Sequence, residues 1–408
     1  MSELTQLEIS AVRNLLSVRL QPEPGTNLIY GENGSGKTSL LEAIHLLATG
    51  RSFRSGKIES LINNEQETAT VFAKLAGGAG DSGEAGKPGK AGGSNKPDEP
   101  DKPGKAGGAG ISGESSKPGE FSIGLEKTRQ QGNNLRLNGQ TQQSWEQVAR
   151  ELPVQVLDAH SFQLLEGGPK ARRRFLDWGV FHVEHEFLAA WRTARKCLTQ
   201  RNLLLKQQPL DRDQIAVWDT QLSQAAEIVD RTRQTYFALF LPRAEAIYGE
   251  LNSRGDTPPV ALSYDRGWPP ERPLIEVLRS GLALDIRYRA TQQGPHRADI
   301  IVSCGRSRAV DILSRGQQKL LVCAMKLAQG SLLTESLGKH CIYLVDDLPA
   351  ELDQQNAGSV LAALQAQGGQ LFVTSVQLSA FENCVAENSI KTGKSLPKFH
   401  VEHGRIRA

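Results

Sequence analysis

The chain has 408 residues, 38% of them hydrophobic, and a formal net charge of +3. That length accommodates two or three domains with a sizeable core, and so small a net charge names no partner by itself. No apolar run approaches the ~20 residues that span a bilayer, the N-terminus lacks the shape of a signal peptide, and the five cysteines (Cys197, Cys304, Cys323, Cys341, Cys384) form no C-x-x-C pair. A cytoplasmic protein with reduced core cysteines is expected, without membrane contact, disulfide framework or zinc site.

The first forty residues alternate like strands, in LTQLEIS (4–10), NLLSVRL (14–20) and TNLIYG (26–31), with Pro22, Pro24 and Gly25 marking the turns. After Thr38 the pattern becomes helical and ends at Gly50. Strand patterns resume at 68–76, 121–128 and 134–140. Between them lies Ala76–Gly119, in which 14 of 44 residues are Gly and 5 are Pro, and KPGKAGG occurs twice. Its six lysines and six acids balance, and glycine does not recur every third residue. A disordered insertion at a hairpin tip is expected, not collagen and not a DNA-binding arm.

Residues 167–252 read as helical. Ile215, Trp218, Leu222, Ala225, Val229, Thr232, Tyr236 and Leu239 recur at steps of three and four, and Leu188, Trp191, Leu198 and Leu205 offer a partner stripe. The pattern predicts an antiparallel hairpin of short coiled-coil character, or equally the core stripes of a helical lobe. A Pro-rich connector (Thr257–Pro273) follows, then alternating strands and helices to the C-terminus. Segments 341–345 and 370–375 are apolar on both faces, as in a covered parallel sheet.

Three motifs carry chemistry. Gly31, Glu32, Asn33, Gly34, Ser35, Gly36, Lys37 and Thr38 fit G-x-x-x-x-G-K-[ST] between a strand and a helix. Such a loop aims backbone N–H groups at a phosphate, with Lys37 reaching the β- and γ-phosphates of ATP and Thr38 holding Mg²⁺. The strand at 341–345 runs into Asp346 and Asp347. Asp346 is placed to hold Mg²⁺ and Asp347 to orient or deprotonate water, although two such aspartates also suit a solvated turn. Leu313–Lys319 (LSRGQQK) opens a helix, with Ser314 as N-cap and Gly316 and Gln317 behind it. Its functional reading is an ABC-type signature that binds a γ-phosphate held by a second molecule. Ala350–Asp353 then resembles a D-loop.

For DNA the candidates are Arg172, Arg173 and Arg174, then Arg192, Arg195, Lys196 and Arg201, with Arg51 and Arg54 near the loop. A solvated charged face accounts for each equally well. No stacking or base-reading element accompanies them, so binding is expected to follow backbone rather than sequence.

With YGENGSGKTSLLEAI (30–44), Arg51–Arg54, Leu164–His182, Gly294–Asp299, Leu313–Lys319 and Leu344–Asp353, the chain resembles the RecF family of bacterial recombination mediators. The ABC-type heads of that family are related to those of SMC and Rad50 ATPases. The stretch GGPKARRRFLDWG (167–179) is specific to the family, and the likeness covers the chain apart from the insertion. It implies an α/β ABC-type P-loop head, a mixed sheet with an antiparallel β subdomain, carrying an inserted helical lobe. The expected division is 1–157, 158–290 and 291–408. It also implies an ATP- and Mg²⁺-dependent homodimer that binds gapped DNA and helps the partners RecO and RecR load RecA. The chain departs from the pattern at Asp347, where ABC proteins carry glutamate, at Thr374-Ser375, where transporters carry histidine, and at Leu157–His160, which lacks the usual proline. Gln155 and Gln163 both fall near a Q-loop. Slow, DNA-stimulated hydrolysis is expected, that of a switch more than a motor.

Overall fold

The computed structural model describes residues 3–56, 60–77, 120–130, 132–252, 259–387 and 396–407. The chain begins with β1 (Glu3–Val12), β2 (Leu15–Leu20), β3 (Thr26–Tyr30), α1 (Lys37–Thr49) and β4 (Thr68–Ala76). It continues with β5 (Glu120–Thr128), β6 (Gly132–Leu137), β7 (Gln140–Gln142), α2 (Glu146–Glu151) and β8 (Val154–Leu157). The helical stretch holds α3 (Gln163–Glu166), α4 (Pro169–Val183), α5 (Phe187–Leu204) and α6 (Arg212–Leu251). After it come β9 (Val260–Asp265), α7 (Leu274–Ser280), α8 (Leu282–Tyr288), β10 (Asp299–Cys304), β11 (Ser307–Arg308), α9 (Ala309–Ile312) and α10 (Arg315–Leu337). The last elements are β12 (Ile342–Val345), α11 (Leu348–Glu351), α12 (Gln354–Ala366), β13 (Leu371–Ser375), α13 (Leu378–Glu387), β14 (Lys398–Glu402) and β15 (Arg405–Arg407). The insertion expected at 76–119 lies, from residue 78 onward, outside the described residues.

Two six-stranded sheets enclose α1. One is antiparallel, in the order β2-β1-β4-β5-β6-β7; the other runs β15-β14-β3-β13-β12-β8, with β14, β3, β13, β12 and β8 parallel. Strands β12 and β13 are buried along their whole length, as their two-sided apolar sequences require. Leu40, Leu41, Ile44 and Leu47 of α1 pack against Leu7 and Ile9 of one sheet and Ile342 and Phe372 of the other. The opposite face of the parallel sheet packs on α4, α6, α10 and α12 through a second core. At ~25 cal/mol per Å² of apolar surface, these cores fix the two sheets and so fix the strand ends where the motifs lie.

The helical hairpin forms, with a shifted seam. In α6 the stripe holds from Ile215 to Tyr236, but Leu239 is 42% exposed and Phe240 is buried in its place. An ideal helix drifts against a 3.5-residue repeat, and the heptad register fails by one residue after about six turns. In α5 the packed positions are Phe187, Ala190, Ala194, Cys197, Arg201 and Leu204, leaving Leu188, Trp191 and Leu198 half-buried beside them. The connector expected at 257–273 contains β9, which pairs with β10, and β10 pairs with β11 on its other edge, in a third, antiparallel sheet. That sheet spans residue 290, the position expected to divide lobe from head. Among the described residues no helix is long and apolar enough to cross a membrane.

Candidate functional site

Strand β3 delivers the chain into the Gly31–Gly36 turn and α1 leaves it. Gly31 has φ 153°, and a Cβ there would lie 2.2 Å from the Val401 carbonyl oxygen. Gly36, at φ 121°, would place one 2.7 Å from Leu15 Cδ2. Both positions therefore exclude side chains. Asn14, in the β1–β2 turn, fastens the loop. Its Nδ2 donates to Gly34 O at 2.8 Å, and its Oδ1 accepts from Ser39 Oγ at 2.9 Å. The Gly404 N–H donates to Ser35 O at 2.9 Å from the other side. Lys37 is buried and donates to the loop's own Gly31 and Glu32 carbonyls at 2.7 and 3.0 Å. Burial lowers its pKa, and the charges of Asp347 and Asp346 oppose that shift.

Strand β12 brings two carboxylates to the loop. Asp346 Oδ1 accepts from Thr38 Oγ1 at 3.1 Å and from Thr374 Oγ1 at 2.7 Å. Thr374 in turn accepts the Asp347 N–H at 2.9 Å, so one hydroxyl at the end of β13 orders both aspartates. Burial raises the pKa of Asp346, and hydrogen bonds from Thr374 and Thr38 counter it. The Asp347 carboxyl is raised by burial and then by Asp346. Asp347 sits at φ 48°, ψ 47°, a left-handed conformation that costs roughly 1–2 kcal/mol in an L-residue and that Asp tolerates better than most. Asn33, Gly34, Gly36, Lys37, Thr38, Asp346 and Asp347 line one cleft of about 860 Å³, whose far wall holds Arg13, Asn14, Leu16 and residues 60 and 62–65. Gly31, Glu32 and Ser35 complete the turn without lining that cleft. Ser35 and Gly31 are buried within it and Glu32 is exposed.

Ser314, Gly316 and Gln317 stand apart from this cleft. Ser314 caps α10 in a reciprocal box: its Oγ accepts from Gln317 N at 3.3 Å and its N–H donates to Gln317 Oε1 at 2.9 Å. Lys319, on the next turn, pairs with Glu351 at 2.8 Å and ties this helix to the 350–353 segment. Neither Q-loop glutamine reaches the cleft. Gln155 is buried and donates to Gln329 at 2.9 Å, while Gln163 opens α3 beside Phe162 and Lys319.

The basic candidates divide by burial. Arg172 forms a bidentate pair with Asp299, both bonds 2.8 Å, and donates to Gly167 O at 2.7 Å. Arg173 donates to Ala298 O at 2.6 Å. Both clamp α4 to β10 and its approach, so neither guanidinium is free in this structure. Arg201 is fully buried between Asp219 and Asp285, at 2.5 and 2.7 Å, which corrects its reading as a DNA candidate. Arg54 is exposed and lines the cleft, 3.9 Å from the buried Glu42. Arg174, Arg192, Arg195, Lys196 and Arg51 remain exposed. Arg192 pairs with Glu146 at 3.0 Å and Arg195 covers the Trp191 ring at 5.3 Å.

Sequence reasoning missed Asn14 and Glu42, and it marked Thr374 as a switch position without its bond to Asp346. Glu42, fully buried on α1, holds Arg13 in a bidentate pair of 2.8 and 2.9 Å and accepts from Ser52. No spacing marks these residues; the only available signal was an acid within an apolar helical run.

The family model described as RecF/RecN/SMC N terminal domain matches residues 3–395. A Pseudomonas aeruginosa (strain LESB58) protein described as DNA replication and repair protein RecF is 42% identical over 405 residues, covering 99% of this chain and 97% of its own. A protein of the same description from Pseudomonas entomophila (strain L48) is 40% identical over 403 residues, with the same coverage. A solved structure of the recombination mediator protein RecF with ATP matches at TM-score 0.78 and 22% identity, covering 100% of this chain and 97% of that one. An SMC head bound to the C-winged helix domain of ScpA matches at TM-score 0.54 and 15% identity, covering 99% and 96%. At these identities the two structures speak for the fold.

Proposed function

The chain belongs to the RecF family and has the fold of an ABC-type ATPase head; from that premise we propose that it is an ATP-dependent DNA-binding protein of recombinational repair and replication-fork recovery. The observation that carries this reading is the junction of Thr38, Asp346 and Thr374 beside Lys37, at the foot of an open cleft. Lys37 would exchange its bonds to the Gly31 and Glu32 carbonyls for the β- and γ-phosphates. Thr38 Oγ1 and Asp346 Oδ1 are hard oxygen donors that fit Mg²⁺. No group of three or more His, Cys, Asp or Glu could hold a metal among the described residues, so the donor set suits an ion that arrives with the nucleotide. When bound, Mg²⁺ neutralises charge on the phosphate oxygens. Asp347, ordered by Thr374, would orient the attacking water, and Arg54 adds a cation to the cleft.

Ser314, Gly316 and Gln317 would serve the nucleotide of a second copy, and ATP would thereby drive head dimerisation. The dimer would clamp gapped DNA through exposed cations such as Arg174, Arg192, Arg195, Lys196 and Arg51, helping RecO and RecR load RecA. Hydrolysis would release it. The 158–290 lobe is proposed as the arm of each head. Its 40-residue α6 extends only ~60 Å, too short for an SMC-like tether. A second reading, a nucleotide-gated scaffold with little turnover, is favoured by the left-handed Asp347, one methylene shorter than glutamate. Phosphate release with and without gapped DNA separates the two: DNA-stimulated release supports the first, and DNA-independent background release supports the scaffold.

A further inference from the structure

Glu42 is an acid at a position where packing alone calls for an apolar side chain. It lies on α1 among Leu40, Leu41, Ala43 and Ile44, and like them it is fully buried. A buried ion pair can often be replaced by apolar side chains of similar volume without loss of stability, so the fold does not by itself require a carboxylate there. Its two oxygens instead tie together two walls of the cleft. Oε1 accepts from Arg13 Nη2 at 2.8 Å and from Ser52 Oγ, while Oε2 accepts from Arg13 Nε at 2.9 Å and lies 3.9 Å from Arg54 Nη1. Ser52 Oγ in turn accepts the N–H groups of Arg54 and Ser55, both at 2.9 Å, so the turn that carries Arg54 is anchored to the same carboxylate.

Arg13 is held from its other side as well. Its Nη1 donates to Ser60 O, its N–H donates to Leu61 O at 2.8 Å, and its carbonyl accepts from Asn63 Nδ2 at 2.8 Å. Ala11 and Arg13 both stand at φ 56°, a left-handed conformation unfavourable in an L-residue. Backbone strain of this kind persists only where surrounding contacts over-determine it, and it collects at ligand clamps. Arg13 and Arg54 line the cleft together with Lys37. Three of the five N–H donors of Arg13 are engaged by Glu42 and Ser60, and two remain for a ligand.

We infer that Glu42 is a positioning residue for nucleotide binding: its carboxylate holds the Arg13 and Arg54 guanidinium groups in place for the phosphates before the nucleotide arrives. The inference rests on the reading of this cleft as the ATP site and deepens it, because it names what orders the two cleft arginines beside Lys37. Glu42 itself touches no nucleotide. The sign of its effect separates positioning from charge. A carboxylate behind the cleft repels a polyanion, so by Coulomb's law alone its neutralisation should tighten ATP binding. Positioning predicts the opposite, because arginines released from their anchor have to be ordered at the moment of binding.

Titration calorimetry with ATP, well below the melting temperature of each variant, tests it. Glu42→Gln keeps the side-chain shape, drops the charge and leaves one oxygen, which cannot accept the bidentate Arg13 pair. Its ATP affinity should fall about tenfold, the equivalent of one charge-assisted hydrogen bond. Phosphate release at saturating ATP should stay within about threefold of wild type, because Thr38, Asp346 and Asp347 are untouched, so the loss appears in KM and not in kcat. Ser52→Ala changes no charge and cuts only the tie to the Arg54 turn; it should weaken ATP binding about threefold. Unchanged or tighter binding by Glu42→Gln overturns the inference, as does a fall in kcat at unchanged KM. If Glu42→Gln does not fold, Ser52→Ala decides: weaker binding supports the inference and wild-type affinity overturns it. Lys37→Ala, measured alongside, tests the cleft itself. Wild-type affinity there overturns the nucleotide reading and the inference together, whereas lost binding in Lys37→Ala beside wild-type affinity in Glu42→Gln overturns the inference alone.

Discussion

Replacing Arg172 with alanine distinguishes a structural clamp from a DNA contact. The Arg172 side chain is 11% exposed and its partner Asp299 16%, and two 2.8 Å bonds join them across 127 positions of sequence. Removing the guanidinium leaves Asp299 largely desolvated with only the Ile300 N–H at 2.8 Å as donor, and strips the Gly167 carbonyl of its partner. A fully buried pair broken in this way costs about 3–5 kcal/mol; the residual exposure here reduces that to about 2–3 kcal/mol. An unfolding entropy of roughly 2.1 cal/mol/K per residue makes 2.5 kcal/mol equivalent to a Tm loss of about 3 °C in a chain of this length. Scanning calorimetry of Arg172→Ala, Asp299→Ala and the double variant should show a coupling of about 1.5 kcal/mol or more. Arg174→Ala, one residue from the pair and exposed, should change stability by less than about 0.5 kcal/mol. The reasoning is refuted if Arg172→Ala melts like the wild type while its DNA affinity falls.

Arg201→Ala leaves Asp219 and Asp285 buried and without their cation, and should cost about 3–5 kcal/mol, or about 4–6 °C by calorimetry, whereas Arg195→Ala should cost almost nothing. Asp347→Asn should abolish phosphate release yet raise the Tm of the nucleotide-free protein. The Asp347 pKa is raised by burial and by Asp346, so its ionised form opposes folding increasingly as pH rises through that pKa, and a drop in Tm at pH 7 would contradict this. His182 and His296 have pKa values lowered by burial to about 3 and about 4. Both are neutral in the fold at pH 7, and their contribution is present above the ordinary value of 6.5 and lost as pH falls from there toward the folded values. Stability should fall by up to about 1.4 kcal/mol per pH unit for each histidine across that window, with a shallower slope in His182→Phe. An unchanged slope in that variant would remove His182 from the account.

The phosphate-binding loop and the Asp346–Asp347 pair were legible because their chemistry is local: a fixed spacing, a strand before, a helix after. The fold class followed from the two-sided apolar strands and from motif order. What escaped depends on distant partners. Thr374 stands out in sequence only as the place where transporters carry histidine, and its bonds to the two aspartates need β13 beside β12; Asn14 reads as a turn residue until the loop closes over it. The arginines at 172, 173 and 201 look the same in sequence as those at 174, 192 and 195. Asp299, the Ala298 carbonyl, Asp219 and Asp285 separate the two sets, and none of these partners is adjacent in sequence. In the hairpin, the periodicity was readable but its register was not. Ala190, Ala194 and Cys197 form the tight seam of α5 while the larger Leu188, Trp191 and Leu198 sit at its edge. Size alone pointed to the wrong neighbour by one residue.

The proposed function requires that nucleotide join two copies into a unit that holds DNA. DNA anisotropy across a salt series, with ATP, with ADP and without nucleotide, tests it most directly. Each phosphate contact contributes a slope of roughly 0.9 in log K against log salt, so two heads on one duplex should bind both tighter and with a steeper slope than one. The tightest binding and the steepest salt dependence are expected with ATP alone. Equal affinity and equal slope in all three states would contradict it.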